Sequence, residues 1–184
     1  MKRRQWLTMT GTASLGLAAL LAACASAPVR GTGDLGVVIG RANGTLYIID
    51  TTARTVLGAV PGLGDLSHAS VVFSRDGLFA YVFGRDGGLT RVNLLEQRIT
   101  QRVLQSGNAI GGAISDDGRI VAAQNYTPGG VKLFDAQTLE LLADIATEYA
   151  PGRRARVVGL TDLPGRRFAY SLFRSEEHTS ELQS

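Results

Sequence analysis

Three stretches of this chain repeat one another at intervals of 43 and 42 residues, and that spacing constrains the fold more than any other feature. The first is Asn43-Gly44-Thr45-Leu46-Tyr47-Ile48-Ile49-Asp50. The second is Asp86-Gly87-Gly88-Leu89-Thr90-Arg91-Val92-Asn93, and the third Pro128-Gly129-Gly130-Val131-Lys132-Leu133-Phe134-Asp135. Gly44, Gly87 and Gly129 each stand six residues before Asp50, Asn93 and Asp135. A second landmark recurs 41 residues apart, Phe73-Ser74-Arg75-Asp76-Gly77 and Ile114-Ser115-Asp116-Asp117-Gly118. Leu163-Pro164-Gly165 opens a partial fourth copy, followed by the alternating run Phe168-Ala169-Tyr170-Ser171-Leu172. Asp-Gly and Pro-Gly turns between alternating apolar runs read as β-hairpins.

A period of 40–45 residues carrying four strands is that of a β-propeller blade. Solenoids of similar period are helical, and helical patterning is nearly absent after residue 30. The chain is therefore expected to be all-β, a β-propeller. In the second copy the inner strand is expected over Val71–Ser74, then Phe79–Phe83, Leu89–Asn93 and an outer strand over Thr100–Leu104. Glycine, 23 of 184 residues, belongs to the repeated turns. Residues 35–173 hold two full blades and parts of two more. Propellers close with about four to eight blades, so the span is either a minimal four-bladed ring or about the first half of a larger one. After Phe173 the strand pattern stops. Residues 174–184 resemble a translated sequencing adapter and are read as foreign, which favours the fragment.

The N-terminus is an address. Lys2, Arg3 and Arg4 precede an uncharged apolar stretch to Ala23, the form of a secretory signal. Leu21-Ala22-Ala23-Cys24 matches the bacterial lipobox. Residues 1–23 are thus expected to be removed and Cys24 lipidated, with residues 24–34 a tether. Ala25 in place of Asp favours the outer membrane, by resemblance to bacterial lipoproteins. Arg3-Arg4 leaves Sec and twin-arginine export both open. A single cysteine excludes an intrachain disulfide. Three of the 19 basic residues sit in this leader, and without them basic and acidic residues balance at 16 each. The calculated pI near 9.3 is therefore no sign of nucleic-acid binding, which needs a basic patch on the folded domain. Gly31-Thr32-Gly33-Asp34-Leu35-Gly36 spells a dinucleotide fingerprint but lacks the preceding strand and following helix. No zinc, P-loop or nucleophile-elbow pattern is present.

Blade geometry sorts the loops. Connections from outer to next inner strand open on one face with those from the second to the third strand. The former are expected at Pro61–His68, Gln105–Gly112 and Tyr149–Arg156, the latter at Gly40–Gly44, Gly84–Gly88 and Gln124–Gly130. His68, Arg41, Arg85, Asn108, Asn125, Tyr126 and the Arg153/Arg154/Arg156 cluster therefore share a face, and loops on a rigid scaffold concentrate binding groups. Each has a plainer alternative. A histidine before an inner strand often bonds neighbouring strands, the arginines can be solvated, the asparagines can serve turns, and Tyr126 can simply pack. Asp76-Gly77 and Asp117-Gly118 lie on the opposite face as turns.

Several runs carry a family resemblance: Arg30 to Val38, Gly64-Asp65-Leu66-Ser67-His68 through Gly77 and on to Leu89, Gly107-Asn108-Ala109-Ile110-Gly111-Gly112, and Asn125-Tyr126-Thr127-Pro128-Gly129-Gly130-Val131. Residues 30–173 resemble the haem d1 biosynthesis proteins of the cytochrome d1 haem-domain β-propeller superfamily. That superfamily also includes the d1 domain of denitrifying nitrite reductase and the paralogue NirN. The resemblance implies an eight-bladed propeller in the periplasm that binds haem d1 or dihydro-haem d1. It also implies dehydrogenation of a propionate arm to an acrylate, with an electron acceptor left unspecified. Arginines suit the carboxylates of such a ligand. His68 is the expected catalytic group, as a base or a haem iron ligand. Arg41, Arg85, Asn108, Asn125, Tyr126 and Arg156 are the expected binding residues. Implied partners are the tetrapyrrole, the membrane through the lipid anchor, and nitrite reductase or NirN-like proteins. A non-catalytic haem d1 delivery propeller and a generic surface scaffold are the alternatives.

Overall fold

The computed structural model describes residues 33–173. The signal, Cys24 and most of the tether lie outside the described residues, as does the adapter-like tail. Every regular element in the described span is a strand. The first sheet contains β1 (Leu35–Gly40), β2 (Thr45–Asp50) and β3 (Thr55–Val60). The second contains β4 (Ser70–Phe73), β5 (Phe79–Phe83), β6 (Gly88–Asn93) and β7 (Arg98–Leu104). The third contains β8 (Asn108–Ile114), β9 (Ile120–Thr127), β10 (Val131–Asp135) and β11 (Leu141–Ile145). A short hairpin, β12 (Glu148–Ala150) with β13 (Arg153–Arg154), leads to a last pair, β14 (Arg156–Leu163) with β15 (Arg167–Phe173). All pairings are antiparallel between chain neighbours, the meander of propeller blades.

By the repeat, β1 to β3 are the second to fourth strands of a blade, and β14 and β15 the first and second of another. The described residues thus form consecutive blades and not a closed four-bladed ring. The second blade's strands match the expected order with small shifts. Its inner strand ends at Phe73, and Ser74, whose amide still donates to the Phe79 carbonyl (2.9 Å), begins the turn with its hydroxyl on Asp76 (2.5 Å). Its outer strand begins at Arg98, two residues early.

The third blade corrects the expectation more. Asn108–Gly112 and Gln124–Thr127, expected as loops, are strand. Register shifts at Asn108/Ala109 and Ala109/Gly111 lengthen the β8–β9 hairpin until Asn108 pairs with Thr127. Tyr149–Arg156, also expected as a loop, folds as the β12–β13 hairpin, and Arg156 opens β14.

Side-chain alternation on β5 shows why the sheets stack. Ala80 and Val82 point into a cluster with Leu46, Ile48, Leu63 and Leu66. Tyr81 and Phe83 point the other way, to Leu89, Val121, Ala123 and Phe134. A strand buried on both faces reads as a continuous apolar run, as Phe79–Phe83 does. A smaller cluster joins Ala122 and Val131 of the third sheet to Val157 of β14. Phe83 reaches β8 only because Gly112 has no side chain, since a Cβ there would strike its ring.

One face carries the β4–β5, β8–β9 and β14–β15 turns. In two of them a serine hydroxyl meets an aspartate two residues on, Ser74 with Asp76 and Ser115 with Asp117 (2.7 Å). The Ser115 hydroxyl and the Arg119 amide hold the Asp117 carboxyl down to about 2, with Arg166 helping. The residue between serine and aspartate reaches the next blade and, for Arg75, the one after it. Arg75 donates to the carbonyls of Ile114 and Ser115 and pairs with Asp162 at 2.9 Å. Asp116 accepts from the amides of Gly165 and Arg166 (2.8 and 3.1 Å).

The other face is clasped by glycine. Gly44, Gly87 and Gly129 have φ of +61°, +80° and +100°. A Cβ on Gly44 would lie 2.6 Å from the Gly64 carbonyl oxygen, and on Gly87 and Gly129 closer still to those of Ser106 and Ala155. The backbone bonds Leu63 N to Gly44 O (2.9 Å) and Gln105 N to Gly87 O (3.0 Å) close the same contact. Beneath it, the buried amides of Asn125 and Gln105 bond each other twice, at 2.8 and 3.0 Å.

Gly77, at φ +71°, has nothing within 4 Å of a built Cβ, so Gly77→Ala in the full-length protein should cost only the left-handed backbone penalty, about 1–2 kcal/mol. Gly87→Ala adds overpacking against a fixed carbonyl and should lose about 2–5 kcal/mol by urea denaturation. Equal losses would show that the clasp carries no weight. Asn125→Ala leaves the Gln105 amide buried without its partner and should cost about 1–3 kcal/mol in the same assay.

Candidate functional site

The clasp sets two loops side by side. Asp65 Oδ1 accepts the Ser67 amide at 2.9 Å, a turn that presents His68 at the surface just before β4. The Asp65 carbonyl accepts the Arg85 amide at 2.8 Å, tying this loop to the β5–β6 turn. The Asp65 carboxyl is held below its usual range, chiefly by Ser67 and further by the charge of Arg85. Next to it Asp86 pairs with Arg102 at 2.5 Å and accepts the Gly88 amide at 3.0 Å. The β5–β6 turn is therefore braced from both sides, and Arg85 projects from it, exposed and without an ion pair among the described residues.

His68, Arg85, Asn108, Ile110 and Tyr126 line one cavity of about 260 Å³ between the second and third blades. Four of the seven groups expected on this face thus meet in a single hollow. Asn108 Oδ1 is buried with no hydrogen-bond partner among the described residues, as is Ser70 Oγ at the start of β4, outside the cavity lining. A buried acceptor left unpaired in the protein is costly unless something else supplies the bond. Together the cavity lining offers an exposed imidazole, an exposed guanidinium and a phenol.

The other expected residues lie elsewhere. Arg41 stands exposed in the β1–β2 turn, away from the cavity. Asn125 is turned inward to Gln105. Arg156 sits behind Tyr126, donating from Nη1 to its hydroxyl oxygen at 2.9 Å, with the guanidinium carbon 4.5 Å from the ring centroid. Arg154 pairs with Asp144 at 3.3 Å, and Arg153 lies over the Tyr149 ring. Asp65, Ser70, Gln105 and Ile110 were missed. An Asp-x-Ser turn signal marks Asp65, whereas nothing local in the sequence marks the other three. No cluster of three or more His, Cys, Asp or Glu side chains occurs among the described residues.

Comparison with known proteins agrees with this architecture. Residues 30–180 match the Cytochrome D1 heme domain model. Protein NirF of Stutzerimonas stutzeri is 65% identical over 160 residues, 86% of this chain and 41% of that protein. Protein NirF of Pseudomonas aeruginosa is 62% identical over 164 residues, 88% of this chain and 42% of that protein. The chain therefore spans about two fifths of the length of the curated relatives it matches. Among solved structures, dihydro-heme d1 dehydrogenase NirN in complex with DHE superposes with a TM-score of 0.69 at 31% identity, over 76% of this chain and 30% of that one. Hydrazine synthase of Kuenenia stuttgartiensis shares the fold alone, with a TM-score of 0.58 at 16% identity over 72% of this chain and 40% of that one. With that model matching residues 30–180, most of its length, the chain belongs to the Cytochrome D1 heme domain family.

Proposed function

We propose that the full-length protein works in haem d1 biosynthesis, binding a d1-type tetrapyrrole and dehydrogenating dihydro-haem d1. The observation that carries this reading is the convergence of His68, Arg85, Asn108 and Tyr126 on one cavity. It stands in a chain 62–65% identical to two NirF proteins and similar to NirN solved with DHE. The cavity's groups fit such a substrate. Arg85 is an exposed charged donor beside the Asp65 loop, and with the Tyr126 hydroxyl it can serve an anionic group of such a substrate.

Turning a propionate CH2–CH2 into an acrylate CH=CH removes two protons and two electrons. His68, exposed at the cavity wall, takes one proton from the arm, and the second hydrogen leaves with the electron pair to a separate two-electron acceptor. A positioned base of this kind contributes about 10²–10⁴-fold. Product transfer to nitrite reductase is the expected next step, whereas transfer to a NirN-like protein belongs to the delivery reading.

Full-length protein titrated with dihydro-haem d1 should show a shifted visible spectrum, and conversion on adding an electron acceptor. His68→Ala should keep binding and lose conversion by about 100-fold or more. No spectral shift in the wild type removes the tetrapyrrole reading. Binding with no conversion leaves a delivery role instead.

We further propose that the protein is held in the periplasm by acyl chains on Cys24, most simply at the outer membrane. The lipobox Leu21-Ala22-Ala23-Cys24 supports this. Cys24→Ser should move the protein from the membrane fraction to the soluble periplasmic fraction, and continued membrane attachment would overturn the anchor.

A further inference from the structure

The contact between Arg156 and Tyr126 fixes where the phenol's proton can go. A guanidinium has donors only, so in the 2.9 Å bond the Tyr126 oxygen is the acceptor. The phenol's own hydrogen then needs a different acceptor, and none of the hydrogen bonds among the described residues supplies one. Stacking at 4.5 Å holds the ring as well as the oxygen. Tyr126 lines the cavity and Arg156 does not. Arg156 therefore acts from behind, and the hydroxyl hydrogen is left to the cavity side.

The size of the cavity limits what that hydrogen can meet. The hollow that the second and third blades form between them is about 260 Å³, room for one side arm of a ligand much larger than itself. Its two unpaired donors, the Tyr126 hydroxyl and the Arg85 guanidinium, are of the kind that bind an anionic oxygen pair. Ile110 supplies an apolar wall for the carbons of such an arm.

Resting on the tetrapyrrole reading above, we propose that this cavity seats a single carboxylate arm of the ligand, the macrocycle lying outside it. In that arrangement Arg156 is a positioning residue that acts only through Tyr126. Its contribution comes from the fourth blade, while the groups that touch the arm belong to the second and third and the loops before them.

The test uses full-length protein and two probes, dihydro-haem d1 and its fully methyl-esterified form, titrated by visible absorption. Wild type should bind the acid about ten-fold or more tighter than the ester, as expected for hydrogen bonds to a charged group. Tyr126→Phe and Arg85→Gln should each narrow that gap. Arg156→Gln should narrow it as Tyr126→Phe does, yet change nothing further when added to Tyr126→Phe. Arg156→Lys, which keeps a donor, should restore part of the preference. Equal binding of acid and ester by wild type overturns the carboxylate cavity while leaving the tetrapyrrole reading intact. Additive losses from Arg156→Gln and Tyr126→Phe overturn the positioning role. No shift with either probe overturns both readings together.

Discussion

A carbonyl oxygen seated where a side chain would otherwise begin is the contact on which the rest of this molecule depends. At Gly44, Gly87 and Gly129 the backbone turns through positive φ, and the following loop lays its carbonyl against the bare α-carbon. Any other residue would meet both the left-handed penalty and a fixed backbone atom. The clasp does two jobs at once. It ends one hairpin, and it delivers the next inner strand at a set height. The loop that ends in His68 and the turn that carries Arg85 are neighbours because Gly44 and Gly87 bracket them.

The same contact explains how much the sequence could say. Six-residue spacing from glycine to Asp50, Asn93 and Asp135 was legible because each end has a steric or hydrogen-bonding reason. The glycine faces a carbonyl. The acid or amide caps the next turn, as Asp135 does for the amides of Gln137 and Thr138 at 2.8 Å. The strands of the second blade were legible for the same reason. The third blade was not, because its bulged β8–β9 register depends on pairing between residues far apart in the chain, such as Asn108 with Thr127. Periodicity within a window carries no information on that.

The candidate site divides along the same line. His68, Arg85, Asn108 and Tyr126 could be placed on one face because loop order alone decides the face. That Asn125 would turn inward while its neighbour Tyr126 turned to the cavity follows from strand alternation on β9, where consecutive residues face opposite ways. Reading Gln124–Gly130 as a loop concealed that parity. Gln105 answers Asn125 across 20 residues, a partnership that only the folded chain reveals.

The turns on the opposite face have a direction. Arg75 reaches forward to Ser115, and Asp116, in the matching place, reaches forward to Gly165 and Arg166. One position uses a cation that donates to carbonyls, the next an anion that accepts from amides. Because each turn presents both kinds of backbone group, either sign of charge can serve there. The chemical identity of this position is thus free to drift while its grip is kept. Most of these ties run to the immediate successor, but Arg75 also reaches Asp162 two blades on. A weakened third blade would therefore be felt at this second-to-fourth tie as well as at its own two seams.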